Sequence, residues 1–279
     1  MKLMPDVPAL FDRVRALAVL SLLNSSDEPP HPGVASGEYA LVRRGSGLKF
    51  TYGEQAHSID IHFTDSGVLL LGYRRNSVFG SFEYPDEWQE ILEQIPEPLR
   101  ALPFDLDTTL GFRAHGGDDG LDLPYVTCVM WRLPEDGTWQ IPRFAHPEDV
   151  VDDMLNYVED MTTDEWRDDG AAYLLEDLIT PMLERLFWAE GVRGEGMSDP
   201  HSDRGWIAAE DVEWTDTGMT EAEAVRHVLE LRPVTDQVAL TLHPTRTVAD
   251  VLDHILATGY PQDGHRAVTG WYSADTTER

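Results

Sequence analysis

Between residues 148 and 190 the chain carries fourteen Asp and Glu against two bases, Arg167 and Arg185. Beneath that acid an apolar stripe recurs at helical spacing: Val150, Val151, Met154, Leu155 and Val158, then Leu174, Leu175, Leu178, Ile179, Met182 and Leu186. A segment with one apolar edge and one acidic edge lays the first on a core and turns the second outward. Pro147 suits a first helical position. Thr162 and Glu165 form a capping-box pair, and Gly170 and Pro181 bend or divide the run. Two or three amphipathic helices are therefore predicted here, and the rest of the chain must supply the surface they cover.

That surface reads as a β-sheet. After a first helix over residues 6–24, with Leu10, Val14, Leu17, Ala18 and Leu22 on one face, a loop with three prolines intervenes. Residues 37–84 then alternate between short strands and Gly-containing turns: 39–42, 48–52, 58–63, 68–73 and 78–82. Ser58 to Phe63 alternates polar with apolar, which places His62 on the polar phase. Pro85 opens a short helix with Trp88, Ile91, Leu92 and Ile95 inward. Strands resume at 108–114, 125–133 and 138–141. The last two flank Pro134-Glu135-Asp136-Gly137, with an Asp-Gly hairpin signal that would pair Trp131 with Trp139. The predicted fold class is α+β: an antiparallel meander covered by amphipathic helices, with a smaller C-terminal helical region. The Gly-, Pro- and polar-rich stretch 191–202 is the natural boundary, giving a main domain over 1–191 and a helical region over 203–279, which could also pack as one domain with it.

Charge narrows the function. With 51 Asp and Glu against 21 Lys and Arg, the net charge is −30. Such a field repels nucleic acid and anionic membrane surfaces and attracts basic proteins. It also serves solubility, and it matches what a salty cytoplasm or a GC-rich genome produces. The two lysines are Lys2 and Lys49, so a catalytic or phosphate-binding Lys cannot come from anything after residue 49. The single cysteine, Cys128, sits in an apolar β-type run, which excludes an internal disulfide and a Cys-based zinc site. The apolar stretch 16–23 is shorter than the roughly 18 residues a membrane span needs, and a cytoplasmic protein is expected.

Phe104-Asp105-Leu106-Asp107-Thr108-Thr109 resembles the nucleophile motif of the haloacid-dehalogenase phosphohydrolases. The resemblance implies an Asp nucleophile, an Asp acid–base and magnesium. Thr108 stands where that family has Gly, and the family's downstream Lys is missing. Gly117-Asp118 and Asp122 follow too soon to serve as its metal-binding acids, so a loop leading into a strand is the better reading. Asp199, His201 and Asp203 bracket an imidazole with carboxylates in a loop, a ligand set suited to a divalent metal and hence to a metal-dependent hydrolase. His-Glu-x-x-His, nucleophile-elbow, Walker and dinucleotide-binding patterns are absent from the sequence. An enzyme is the less favoured reading, and no cofactor is expected apart from that alternative metal.

Residues 235–248 have the pattern of a helix-turn-helix. Ala239 and Leu242 face inward, 243–245 turn, and Val248, Val251 and Leu252 anchor the second helix. A DNA reader needs basic side chains there, yet Arg246 and His254 are opposed by Asp250 and Asp253. The favoured expectation is therefore an acidic interaction module for a basic partner protein, of the bacterial immunity or antitoxin type. Its binding face would be Asp149, Asp152, Asp153, Glu159, Asp160, Asp164, Glu165, Asp168 and Asp169, with Trp166 as the anchor. An atypical helix-turn-helix regulator is the remaining alternative.

Overall fold

A computed structural model describes residues 6–24, 39–44, 47–54, 57–74, 85–104, 113–115, 122–124, 126–142, 216–265 and 271–272. The fold is α+β. Five strands stand in the order β1 (Tyr39–Arg44), β2 (Gly47–Glu54), β3 (His57–Thr64), β4 (Gly67–Arg74), β7 (Cys128–Arg132). A second, two-stranded antiparallel sheet pairs β5 (Arg113–His115) with β6 (Asp122–Pro124). Contacts divide the chain into two compact units, one of Met1–Met4 with Thr51–Leu183, the other of Pro5–Phe50 with Glu184–Arg279. The boundary expected at 191–202 and the helices expected over 148–190 lie outside the described residues, as does the strand expected at 78–82.

In the first unit, β3 and β4 pair antiparallel from His57↔Arg74 to Thr64↔Gly67, and β4 pairs antiparallel with β7 from Val68↔Arg132 to Gly72↔Cys128. Partners across a ladder share a face. Ile61, Leu70 and Met130 therefore form a row on one side, and His62, Leu69 and Trp131 a row on the other. All six are buried. The unbroken apolar run Val68-Leu69-Leu70-Leu71 already encodes a strand covered on both faces, since a half-solvated strand would alternate. β3 does alternate, but it shares both of its faces with β4, and so His62 is buried against the expectation from its polar phase.

Two turns fix this register. Asp65 and Ser66 join β3 to β4, and the Thr64 hydroxyl donates to the Gly67 carbonyl at 2.8 Å. Gly67 has φ 155°, and a Cβ there would lie 3.0 Å from the Arg132 carbonyl oxygen and 3.0 Å from Leu99 Cδ1. After β7, the Asp136 N–H donates to the Leu133 carbonyl, and the Asp136 carboxylate accepts from the Leu133 N–H, each at 3.0 Å. The turn is thus centred on Pro134-Glu135, where proline presets φ. Gly137 is not among the positive-φ glycines, so the Asp-Gly signal is not used, and Trp131 bridges to Gln140 instead of Trp139.

Helix α2 (Pro85–Glu93) shows on a small scale the pattern predicted for 148–190. Trp88, Ile91 and Leu92, with Ile95 just beyond the helix, are buried, while Asp86, Gln89, Glu90 and Glu93 are exposed. Burying each large apolar side chain is worth about 1.5–3 kcal/mol.

In the second unit, helix α1 (Val7–Asn24) is the hub. It lies against β1 and three further helices, α3 (Glu221–Leu229), α4 (Asp236–Leu242) and α5 (Val248–Ala257). Its expected single face proves too narrow. Ala16, Val19, Leu20 and Leu23 are buried as well, and from Val14 to Leu20 every side chain is buried. A helix apolar all round belongs in a core. A capping box opens α3: the Glu223 carboxylate accepts from the Thr220 N–H at 2.7 Å, and the Thr220 hydroxyl accepts from the Glu223 N–H at 3.2 Å. The same helix ends in a Schellman motif, with Arg232 N–H to the His227 carbonyl and Leu231 N–H to the Val228 carbonyl. Leu231 occupies its left-handed position at φ 55°, at a cost of about 1–2 kcal/mol.

Gly67→Ala is predicted to destabilise the protein by about 1–3 kcal/mol, from backbone strain and overpacking together. Thermal unfolding of the variant beside the parent measures it; an unchanged midpoint would mean that this turn does not fix the register.

Candidate functional site

The acidic face proposed from the sequence, Asp149 to Asp169 with Trp166, lies outside the described residues, and so do Asp199, His201 and Asp203. Asp105 and Asp107 also fall outside them. The helix-turn-helix segment lies within them and has the predicted order. Thr235 caps α4, its hydroxyl accepting from the Val238 N–H at 3.3 Å. Residues 243–245 form the turn, and Thr247 begins α5 with its N–H and hydroxyl both donating to Asp250 at 2.7 Å. Ala239, Leu242 and Val251 are buried as expected, together with Ile255, whereas Val248 and Leu252 are half-buried. The Asp236 carboxylate accepts from the Val248 N–H at 2.9 Å, tying the start of α4 to the start of α5.

The basic residue that a DNA reader would need on this motif is turned inward. Arg246 is 6 % exposed, and its guanidinium donates to the Leu22 carbonyl in the last turn of α1. The carbonyls of a helix's last turn face away from the intrahelical ladder, and the negative end of the helix dipole lies there, so a cation is well placed. Arg15 makes a second contact of the same kind. At 3 % exposed, it donates to the Gly259 carbonyl at 3.0 Å, just past the end of α5, and pairs with Asp12 at 2.7 Å. Its guanidinium also sits 5.1 Å from the Phe11 ring centroid, within cation–π range. Two arginines thus close the carbonyl ends of two helices from inside the unit. The sequence does not mark Arg15, a lone base in an apolar run with no periodic signal, and it marks Arg246 only as an outward base of the helix-turn-helix.

Further polar groups complete this network. The Tyr260 hydroxyl donates to the Arg232 carbonyl at 2.7 Å and lies 3.0 Å from the Val228 carbonyl, and burial pushes its pKa well above the ordinary value. Gln262 bonds both the N–H and the carbonyl of Val234, at 2.9 and 2.7 Å. Tyr272 packs edge-on against Phe11, ring centroids 5.1 Å apart. Outside this network stand the exposed acids of the same region: Asp216, Glu223, Glu230, Asp236, Asp250, Asp253 and Asp263. Exposed Arg226 and Arg232 face them, the latter paired with Glu230 at 2.6 Å. Hydrogen bonds from Thr220 and from Thr247 hold the Glu223 and Asp250 carboxyls below their ordinary pKa values, so both stay charged in mildly acidic solution.

In the first unit, the sheet face that carries His62 also carries the Thr51 hydroxyl, which donates to Asp60 at 3.0 Å. Thr51 and His62 are buried and Asp60 is half-buried. Cys128 lies on the opposite face, where burial raises its thiol well above the ordinary value, the reverse of what a nucleophile needs. Among the described residues no group of three or more His, Cys, Asp or Glu is placed to hold a metal ion. No helix among them is long and apolar enough to cross a membrane. No protein-family model, curated protein or solved structure matches the chain.

Arg246→Met keeps the aliphatic stem and removes the guanidinium's hydrogen bond to the Leu22 carbonyl. The expected loss is about 1–3 kcal/mol of unfolding free energy, the worth of a buried hydrogen bond from a charged group. Chemical denaturation measures it, and a variant as stable as the parent would show that this arginine does not hold the end of α1.

Proposed function

We propose that the chain is a cytoplasmic, acidic protein-interaction module that receives a basic partner protein, of the immunity or antitoxin type. The observation that carries this reading is the distribution of charge. The net charge is −30, Arg15 and Arg246 are withdrawn into the second unit, and the acids of α2, α4 and α5 stand exposed. A surface of that sign steers a basic partner toward it and suppresses wrong ones. The sequence concentrates acid most densely at 148–190, so Asp149, Asp152, Asp153, Glu159, Asp160, Asp164, Glu165, Asp168 and Asp169 are the proposed contact residues, with Trp166 as the apolar anchor.

The helical order α4, turn, α5 favours one other reading, an atypical helix-turn-helix regulator. Exposed Asp250 and Asp253 on the second helix, with Arg246 turned inward, weigh against it.

Binding by charge is predicted to be strongly salt-dependent. A basic protein recovered from the native host at low salt, identified and purified, should bind tightly and lose most of its affinity as the ionic strength rises toward about 0.5 M, where the screening length is only a few ångströms. Trp166→Ala should cost about 2 kcal/mol or more of that affinity. Recovery of no basic protein, or binding indifferent to salt and to the Asp149–Asp169 carboxylates, would reject the proposal.

A further inference from the structure

We propose that His243 is an acid-sensitive latch: in its neutral form it holds the turn between α4 and α5, and with it the seat of Arg246 at the end of α1. His243 is the C-cap of α4, its N–H donating to the Ala239 carbonyl at 2.8 Å. The residue is 7 % exposed. Nδ1 accepts from the Thr245 N–H at 3.4 Å, which leaves the proton of the neutral ring on Nε2. Nε2 is buried and has no hydrogen-bond partner. Three residues on, Arg246 donates to the Leu22 carbonyl.

A proton added to this ring goes to Nδ1, the atom that accepts from Thr245. It replaces an acceptor with a donor facing a donor, and it places a second cation beside Arg246 in a buried site. Burial first, and the Arg246 charge second, hold the His243 pKa below its ordinary value. Several other charged groups of the surrounding elements are engaged elsewhere. Asp12 and Arg15 on α1 pair with each other. Asp236 on α4 accepts from Val248, and Asp250 on α5 accepts from Thr247. On α3, His227 bonds the Pro233 carbonyl, and Arg226 is exposed, as is Asp253 on α5, while His254 is half-buried. Among the described residues, the Asp250 carboxylate interacts by charge with Arg246. Above the ordinary imidazole pKa both the closed and the opened states are neutral there, and the group contributes nothing. As pH falls below that value the opened state takes up the proton first, so opening becomes easier until the closed state titrates too.

The test uses the full chain, with the His243 ring resonances and the amide exchange of Thr245 and the first turn of α5 followed together from about pH 7.5 to about pH 5. The ring is expected to titrate below about 6.5, with opening becoming up to about tenfold more frequent per pH unit over the same range. His243→Gln, which cannot titrate, should flatten that dependence. Should His243→Gln not fold, the parent decides alone. A ring that titrates at or above the ordinary imidazole value, or protection that stays constant while pH falls below that value, overturns the latch; so does an unchanged pH dependence in a folded His243→Gln protein.

Discussion

The carbonyls at the end of a largely buried helix must find donors, and in the second unit two buried arginines supply them. α1 is apolar around its full circumference from Ala16 to Leu20, and at its C-terminal end the buried Arg246 donates to the Leu22 carbonyl. Arg15, on α1 itself, serves the Gly259 carbonyl beyond α5 in the same way. The two contacts join sequence positions more than two hundred residues apart. Removing either arginine would cost a buried hydrogen bond from a charged group.

This arrangement has a consequence for the surface. Each arginine used in the interior is one that no longer offsets the carboxylates outside. The exposed acids of α2, α4 and α5 therefore face solvent with little nearby positive charge beyond Arg100, Arg226 and Arg232 among the described residues. The internal use of arginine and the proposed attraction for a basic partner are two sides of one distribution.

Much of the architecture was legible in the sequence, and for local reasons. Strands β1 to β4 follow from short apolar or alternating runs punctuated by glycine turns, α2 from Trp88, Ile91, Leu92 and Ile95 at helical spacing, and the α3 cap from Thr220 and Glu223. The helix-turn-helix order over α4 and α5 was legible for the same reason. What escaped depends on non-local packing. His62 reads as solvent-facing until β4 is seen to be covered on both sides. The turn after β7 reads as Asp-Gly until Pro134 and the Asp136 carboxylate take it over. β6, only Asp122-Leu123-Pro124, is too short to carry a period. The candidate site was legible only as an acidic stripe, because charge can be counted along a chain but its convergence in space cannot.

Cations hold this fold from inside while acid crowds its surface. The response of thermal stability to moderate sodium chloride separates the two, since screening acts on exposed charges far more than on buried ones. The unfolding midpoint is expected to rise as salt relieves repulsion among the surface carboxylates and leaves the Arg15 and Arg246 contacts intact. A midpoint that falls with added salt would mean that exposed ion pairs hold the fold, and would contradict this.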